Sequence, residues 1–256
     1  MHEYGDPEAP ALLVLHGITD SGQCWGDLVA RLGSSYRIVA PDALGHGGSD
    51  RFSAEELKSE HPPEAMYDAA AQVLREVGPA LVLGHSMGGR TAAALAAREP
   101  SLVRGVVLED PAWFDSSPWG NTDEEETNQR VADTAAAATD PDGAVRACRA
   151  EHPSWPEVEL AQWAAAKAQV DLDFLRGGRL DINTPWREIA TSITVPALVV
   201  TGDGEVIVDF PTREEIRRVA PMIEVVVVPG AAHCVRRDQA DAFHAVVDPW
   251  LAALAG

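Results

Sequence analysis

One serine, one histidine and a few carboxylates carry the chemistry open to this sequence. Ser86 sits in Gly84-His85-Ser86-Met87-Gly88, after an apolar run at 80–83 and before an Ala-rich stretch at 91–98. That order reads as strand, sharp turn, helix. Such a turn holds the serine in a strained conformation and needs small neighbours, here Gly84 and Gly88. It lifts Oγ clear of the sheet. The free N–H groups of the following helix aim at the same point, so Met87 N–H is the natural donor to a developing oxyanion. A serine hydroxyl alone is a weak nucleophile. It needs a histidine base, and that base needs a carboxylate to orient it.

The elements that must position these groups are short apolar runs at 12–15, 36–40, 80–83, 103–108, 196–201 and 223–228. Each is continuous rather than alternating, as in strands buried on both faces of a parallel sheet. Helical patterns at 25–32, 63–77, 91–98 and 239–254 stand between or after them. The fold class expected is α/β, a mostly parallel sheet of about six strands flanked by helices. Sites in such sheets collect at the carboxyl ends of the strands. His16-Gly17, Ser86, Asp110, Glu205 and His233 all fall at such ends.

Between 111 and 193 the alternation stops for far longer than an ordinary loop. This stretch is helical and polar, includes Asp123-Glu124-Glu125-Glu126, and holds Trp113, Trp119, Trp155, Trp163 and Trp186, five of the seven tryptophans. It reads as a helical cap, 111–193, inserted into a core formed by 1–110 and 194–256. Trp113, Trp155 and Trp163 are its candidate substrate contacts. The alternative is that these rings pack the cap on itself and onto the sheet.

Composition narrows the function. A net charge of −20 argues against nucleic acid and anionic membrane surfaces as partners. No apolar run approaches the roughly 18 residues that span a bilayer. The first residues lack the basic and apolar regions of a signal peptide. Cys24, Cys148 and Cys234 are scattered, without metal-ligand spacing, and fit reduced thiols in a cytoplasmic protein. The Gly45-His46-Gly47-Gly48 loop matches neither dinucleotide nor phosphate-loop patterns, and no His-Glu-x-x-His is present. No metal or organic cofactor is expected.

With these residues placed, the chain resembles the α/β-hydrolase fold family over nearly its whole length. The landmarks are His16-Gly17, the loop from Pro41-Asp42 to Ser49, Gly84-His85-Ser86-Met87-Gly88-Gly89, and Gly230-Ala231-Ala232-His233. The family usually opens with a two-strand hairpin, for which only 1–10 is available here, so a sheet trimmed at one edge is expected. The resemblance implies His233 as base, and Ile18 and Met87 as backbone donors of the oxyanion hole. His16 belongs to the oxyanion loop. His46 and His85 read as structural or pocket-lining residues; His2, His61, His152 and His244 have no motif around them.

The acid has two main candidates. The family's usual position follows the penultimate strand, where Gly202-Asp203-Gly204-Glu205 offers Glu205. A minority of members, including haloalkane dehalogenases, place it after the earlier strand, which here is Asp110. Asp110 is favoured because the later motif is the one that deviates, although many relatives keep a structural Asp there. Glu109 is a third candidate, which strand alternation points away from Asp110.

These parts imply a serine hydrolase, an esterase or lactonase, acting on an apolar small molecule through an acyl-enzyme. A serine nucleophile argues against epoxide hydrolase and dehalogenase chemistry. C–C bond hydrolysis and acyl transfer use the same machinery. A non-catalytic ligand-binding protein of this fold is the third reading. Cys234 beside His233, and Cys24, read as space-filling residues rather than redox sensors.

Overall fold

The structure is a computed structural model that describes residues 1–58, 62–114, 124–177 and 184–256. Trp119, Asp123 and His61 lie outside the described residues. The described strands are β1 (His2–Tyr4), β2 (Ala11–Leu15), β3 (Arg37–Ala40), β4 (Ala80–His85), β5 (Val103–Glu109), β6 (Ala197–Gly202) and β7 (Ile223–Val228). The described α-helices are α1 (Gly26–Leu32), α2 (Ala54–Lys58), α3 (Pro62–Val77), α4 (Met87–Arg98), α5 (Glu124–Thr139), α6 (Pro141–Glu151), α7 (Glu157–Ala166), α8 (Leu172–Gly177), α9 (Trp186–Ser192), α10 (Phe210–Val219), α11 (Val235–Asp238) and α12 (Ala240–Leu254). None of them is long and apolar enough to cross a membrane.

The sheet runs β1-β3-β2-β4-β5-β6-β7. Six strands are parallel, as expected. The seventh, β1, pairs antiparallel with β3 through His2↔Ala40 and Tyr4↔Ile38. The sequence reading missed it because three residues of mixed polarity carry no periodic signal. The trimmed edge therefore keeps one short strand.

Alternation sorts the apolar residues into two layers. Leu13, Leu15, Val82, Val106, Leu108 and Val199 face a core closed by α3, α4, α9 and α10. Leu12, Val14, Leu81, Leu83, Val107 and Leu198 face a second core closed by α1 and α12. A one-residue slip of any strand would exchange these faces, so burial on both sides fixes the register. α9 falls within the expected insertion, yet Trp186, Ile189 and Ala190 are buried in the first core. The chain has rejoined the sheet's own helical layer before residue 194.

The turn from β4 to α4 is tightly packed. Ser86 has φ 53°, in the left-handed region. A Cβ on Gly84 would stand 2.2 Å from the Gly88 carbonyl oxygen, and one on Gly88 would stand 2.1 Å from that of Leu15. Both obstacles are backbone and neither can move aside. Gly88→Ala is therefore expected to destabilise the fold by about 3 kcal/mol or more, a loss typical of overpacking against fixed backbone. Urea unfolding of the variant beside wild type checks this.

Candidate active site

Three strand ends converge. Ser86 leaves β4, Asp110 follows β5, and His233 lies on the loop between β7 and α11. The Ser86 hydroxyl is 3.0 Å from His233 Nε2, and His233 Nδ1 is 2.6 Å from Asp110 Oδ2. This fixes a consistent tautomer, with Nδ1–H donating to the carboxylate and Nε2 accepting from Ser86. Asp110 has φ 37°, a left-handed conformation that Asp tolerates better than most residues. Its carboxylate is fully buried. Besides His233, it accepts from Thr201 Oγ1 at 2.8 Å, Ile207 N–H at 2.9 Å and Val208 N–H at 3.0 Å. Each oxygen thus has two partners, as a buried carboxylate requires.

Glu205 is exposed on the loop after β6, and the His233 ring pairs with Asp110 and Ser86 instead. Its neighbour Asp203 accepts from Gly230 N–H at 2.7 Å and ties that loop to the histidine loop. Glu109 points the other way, as alternation required. It is buried, accepts from Arg236 N–H at 2.8 Å, and pairs with the Arg236 guanidinium at 3.3 Å.

His85, next to Ser86, is buried. Its Nε2–H donates to the His233 carbonyl at 3.2 Å, and the two rings lie 4.8 Å apart. Burial, reinforced by His233 and Arg236, pushes its pKa well below the ordinary value. A neutral ring therefore steadies the His233 loop.

A model of the alpha/beta hydrolase family matches residues 12–246. The chain belongs to that family. It is 28% identical over 248 residues to a 2-(acetamidomethylene)succinate hydrolase of Mesorhizobium japonicum, covering 88% of this chain and 82% of that one. It is 29% identical over 273 residues to an sn-1-specific diacylglycerol lipase of Mus musculus, covering 97% of this chain and 83% of that one. Among solved structures, the enol-lactonase from Burkholderia xenovorans LB400 superposes with a TM-score of 0.73 at 24% identity, over 98% of this chain and 95% of that one.

In this alpha/beta hydrolase, Ser86 and His233 open into a cavity of about 510 Å³ lined by Ile18, Thr19, Phe114, Arg130, Asp133 and Ile207, with Gln129 and Thr134 beside them. Ile18 is thus at the site. Met87 starts α4 beside Ser86, and its side chain joins an apolar cluster with Met66 and Phe174.

Among the described residues, the lining of this cavity does not include Trp113, Trp155 or Trp163. Trp113 is buried in the first core, stacked on Trp186 with centroids 5.3 Å apart. Trp155 donates from Nε1 to Asp238 at 2.7 Å, and Asp238 also accepts from Ala232 N–H on the histidine loop. Trp163 meets Trp155 edge-on at 6.0 Å and lies under the Lys167 ammonium. These rings fill the joints between helices and loops.

The sequence reading also missed a buried cluster of six charges beneath the histidine loop. Arg237 pairs with Asp20 at 2.9 Å and Glu159 at 2.7 Å. Arg236 pairs with Glu109, and Lys167 lies 3.7 Å from Asp20. Burial works against the Asp20 carboxylate, but Arg237, Lys167 and Arg236 outweigh it and hold its pKa well below the usual range. Six charges from five chain segments cannot be read as one motif. The only signal was the Arg236-Arg237 pair immediately after a site histidine.

The cysteines behave as packing residues. Burial pushes the Cys24 thiol up to about 11 and that of Cys234 up to about 12, away from thiolate chemistry.

Two expectations follow. Arg237→Leu leaves Asp20 and Glu159 without their main partner and should cost about 3–5 kcal/mol. Arg176→Ala, which breaks a surface pair with Asp173, should cost under about 1 kcal/mol. Urea unfolding compares the two. Second, burial, with His16 and Arg51 adding to it, holds His46 at about 3. An unfolded histidine titrates near 6.5, so between those values the unfolded chain binds more protons. Stability is complete above about pH 6.5 and falls as the pH drops towards 3. His46→Phe should flatten that fall, by at most about 1.4 kcal/mol per pH unit, in unfolding measured from pH 7 to 4.5.

Proposed function

We propose that this protein is a serine hydrolase that cleaves a carboxylic ester or lactone of a small molecule, with Ser86 as nucleophile, His233 as base and Asp110 as the orienting acid. The continuous Ser86–His233–Asp110 chain, at 3.0 and 2.6 Å, carries the reading.

Ser86 Oγ attacks the carbonyl carbon while its proton passes to His233 Nε2. The carbonyl π pair moves to oxygen, and the N–H groups of Ile18 and Met87 bind that oxyanion. The tetrahedral intermediate collapses, its C–O bond to the leaving group breaks, and His233 gives its proton to the departing alkoxide. A water then repeats the sequence on the acyl-enzyme, with His233 as base again, and releases the acid and Ser86. The Asp110 carboxylate, held by Thr201, Ile207 and Val208, keeps the His233 tautomer and stabilises its cation in both halves.

The apolar part of the substrate rests against Ile18, Phe114 and Ile207. The polar face of α5, with Gln129, Arg130, Asp133 and Thr134, covers the other side. The helices between β5 and β6 act as the cap in this reading. The three free thiols fit a cytoplasmic setting. The same machinery would serve C–C hydrolysis or acyl transfer. A non-catalytic binding role would leave the polarised serine without use.

Intact-mass labelling with a fluorophosphonate tests this. Wild type should gain one adduct and Ser86→Ala none. Asp110→Asn should label slower by on the order of 10³-fold or more, because the histidine loses its tautomer. Glu205→Gln should label at nearly the wild-type rate. A folded wild type that takes no label would overturn the hydrolase reading. A slow Glu205→Gln beside a normal Asp110→Asn would reassign the acid.

A further inference from the structure

Ile18 lies in a four-residue turn, Gly17 to Asp20, closed by Asp20 N–H donating to the Gly17 carbonyl at 3.2 Å. Thr19 occupies the third position with φ 63°. Turns of this kind place glycine there, because a left-handed residue with a branched Cβ is strained. The chain nevertheless carries threonine, so something outside the turn must hold it.

That contact comes from the helical segment between β5 and β6. Lys167, at the end of α7, is buried. Its ammonium donates to the Thr19 carbonyl at 3.0 Å and to Thr19 Oγ1 at 2.8 Å. Its third direction faces Asp20, at 3.7 Å, and the Trp163 ring lies 4.6 Å away. Neutralising Asp20 does not account for this geometry. Asp20 already has Arg237 at 2.9 Å, and Lys167 stands closer to both Thr19 oxygens than to the carboxylate. Both oxygens belong to the one residue of the turn whose backbone is left-handed.

We infer that Lys167 is a positioning residue: it clamps the Thr19 turn and so fixes the Ile18 N–H as an oxyanion donor beside Ser86. The inference rests on the hydrolase reading and deepens it, since the helical segment between β5 and β6 then completes the oxyanion pocket. An N–H that must meet charge only in the transition state acts on turnover rather than on substrate binding. Clamping the turn in advance removes the need to reorganise it during the reaction.

The test uses the full chain as wild type, Lys167→Met, Thr19→Val, and Lys167→Met combined with Thr19→Gly. Steady-state hydrolysis of p-nitrophenyl butyrate and amide hydrogen exchange over residues 16–24 are read for each. Lys167→Met should lower kcat about 10- to 100-fold with KM within about threefold, because one oxyanion donor is misplaced rather than removed. Exchange over the turn should quicken. Glycine adopts the left-handed conformation without strain, so Thr19→Gly in the Lys167→Met background should restore kcat by about fivefold or more. A counter-ion role for Lys167 would give no such rescue.

Thr19→Val keeps the carbonyl contact and loses only the hydroxyl contact. It should show a smaller kcat loss, and it decides the matter if Lys167→Met does not fold. Unchanged kcat in the folded variants, a loss confined to KM, or no rescue by glycine would each overturn the clamp. A wild type that neither hydrolyses the ester nor takes fluorophosphonate overturns the hydrolase reading and the oxyanion role together. The exchange rates still decide the clamp in that case, and an unaltered rate in Lys167→Met rejects it.

Discussion

The left-handed backbone at Ser86 is the constraint on which the rest depends. A non-glycine residue held there costs on the order of 1–3 kcal/mol and persists only where its surroundings over-determine it. They do so here by close packing: Gly84 and Gly88 let β4, α4 and the end of β2 approach to distances no side chain would allow. Ser86 N–H donates to the Glu109 carbonyl, and its own carbonyl accepts from Ala112 N–H, both at 3.0 Å. The elbow is therefore stitched to the segment that carries Asp110. Wherever Ser86 sits, Asp110 sits beside it.

The site has a second support of a different kind. Around the histidine loop the joints are charged rather than apolar. Arg236 and Arg237 follow His233 directly and reach Glu109, Asp20 and Glu159 in a buried cluster. Burying six charges adds little net stability, because desolvation offsets attraction. Such a cluster does penalise any misplacement of its members, since one shifted partner leaves a charge uncompensated. A loop that holds His233 at hydrogen-bond distance from Ser86 gains from that intolerance. Trp155 and Asp238 extend the same joint into the helical segment between β5 and β6.

The Gly-rich loop after β3 shows how similar composition can serve different ends. Asp42 accepts from Gly22 N–H at 2.8 Å and Gly48 N–H at 3.0 Å, and His2 Nε2 lies 3.1 Å away. A Cβ on Gly47, which has φ 53°, would collide with that carboxylate. The glycines cradle a side chain of the protein itself, where a phosphate loop would cradle its ligand.

The sequence by itself determined the parallel sheet, the elbow and the set of strand ends where Ser86, Asp110 and His233 gather. Those features are written in local patterns: continuous apolar runs, small residues flanking Ser86, and turns after each strand. Between Asp110, which the sequence favoured, and Glu205, only the tertiary structure shows which carboxylate meets His233. Both stand after strands, and what distinguishes them is which loop faces His233 and which carboxylate finds Thr201, Ile207 and Val208 as donors. Composition left the tryptophans open between packing and pocket, because it says that an aromatic ring will be covered, not by what. β1 was too short to carry a period. The buried charge cluster and the Lys167–Thr19 contact join residues from 78 to 217 positions apart. No local pattern encodes such a pairing; it exists only once the sheet has brought those segments together.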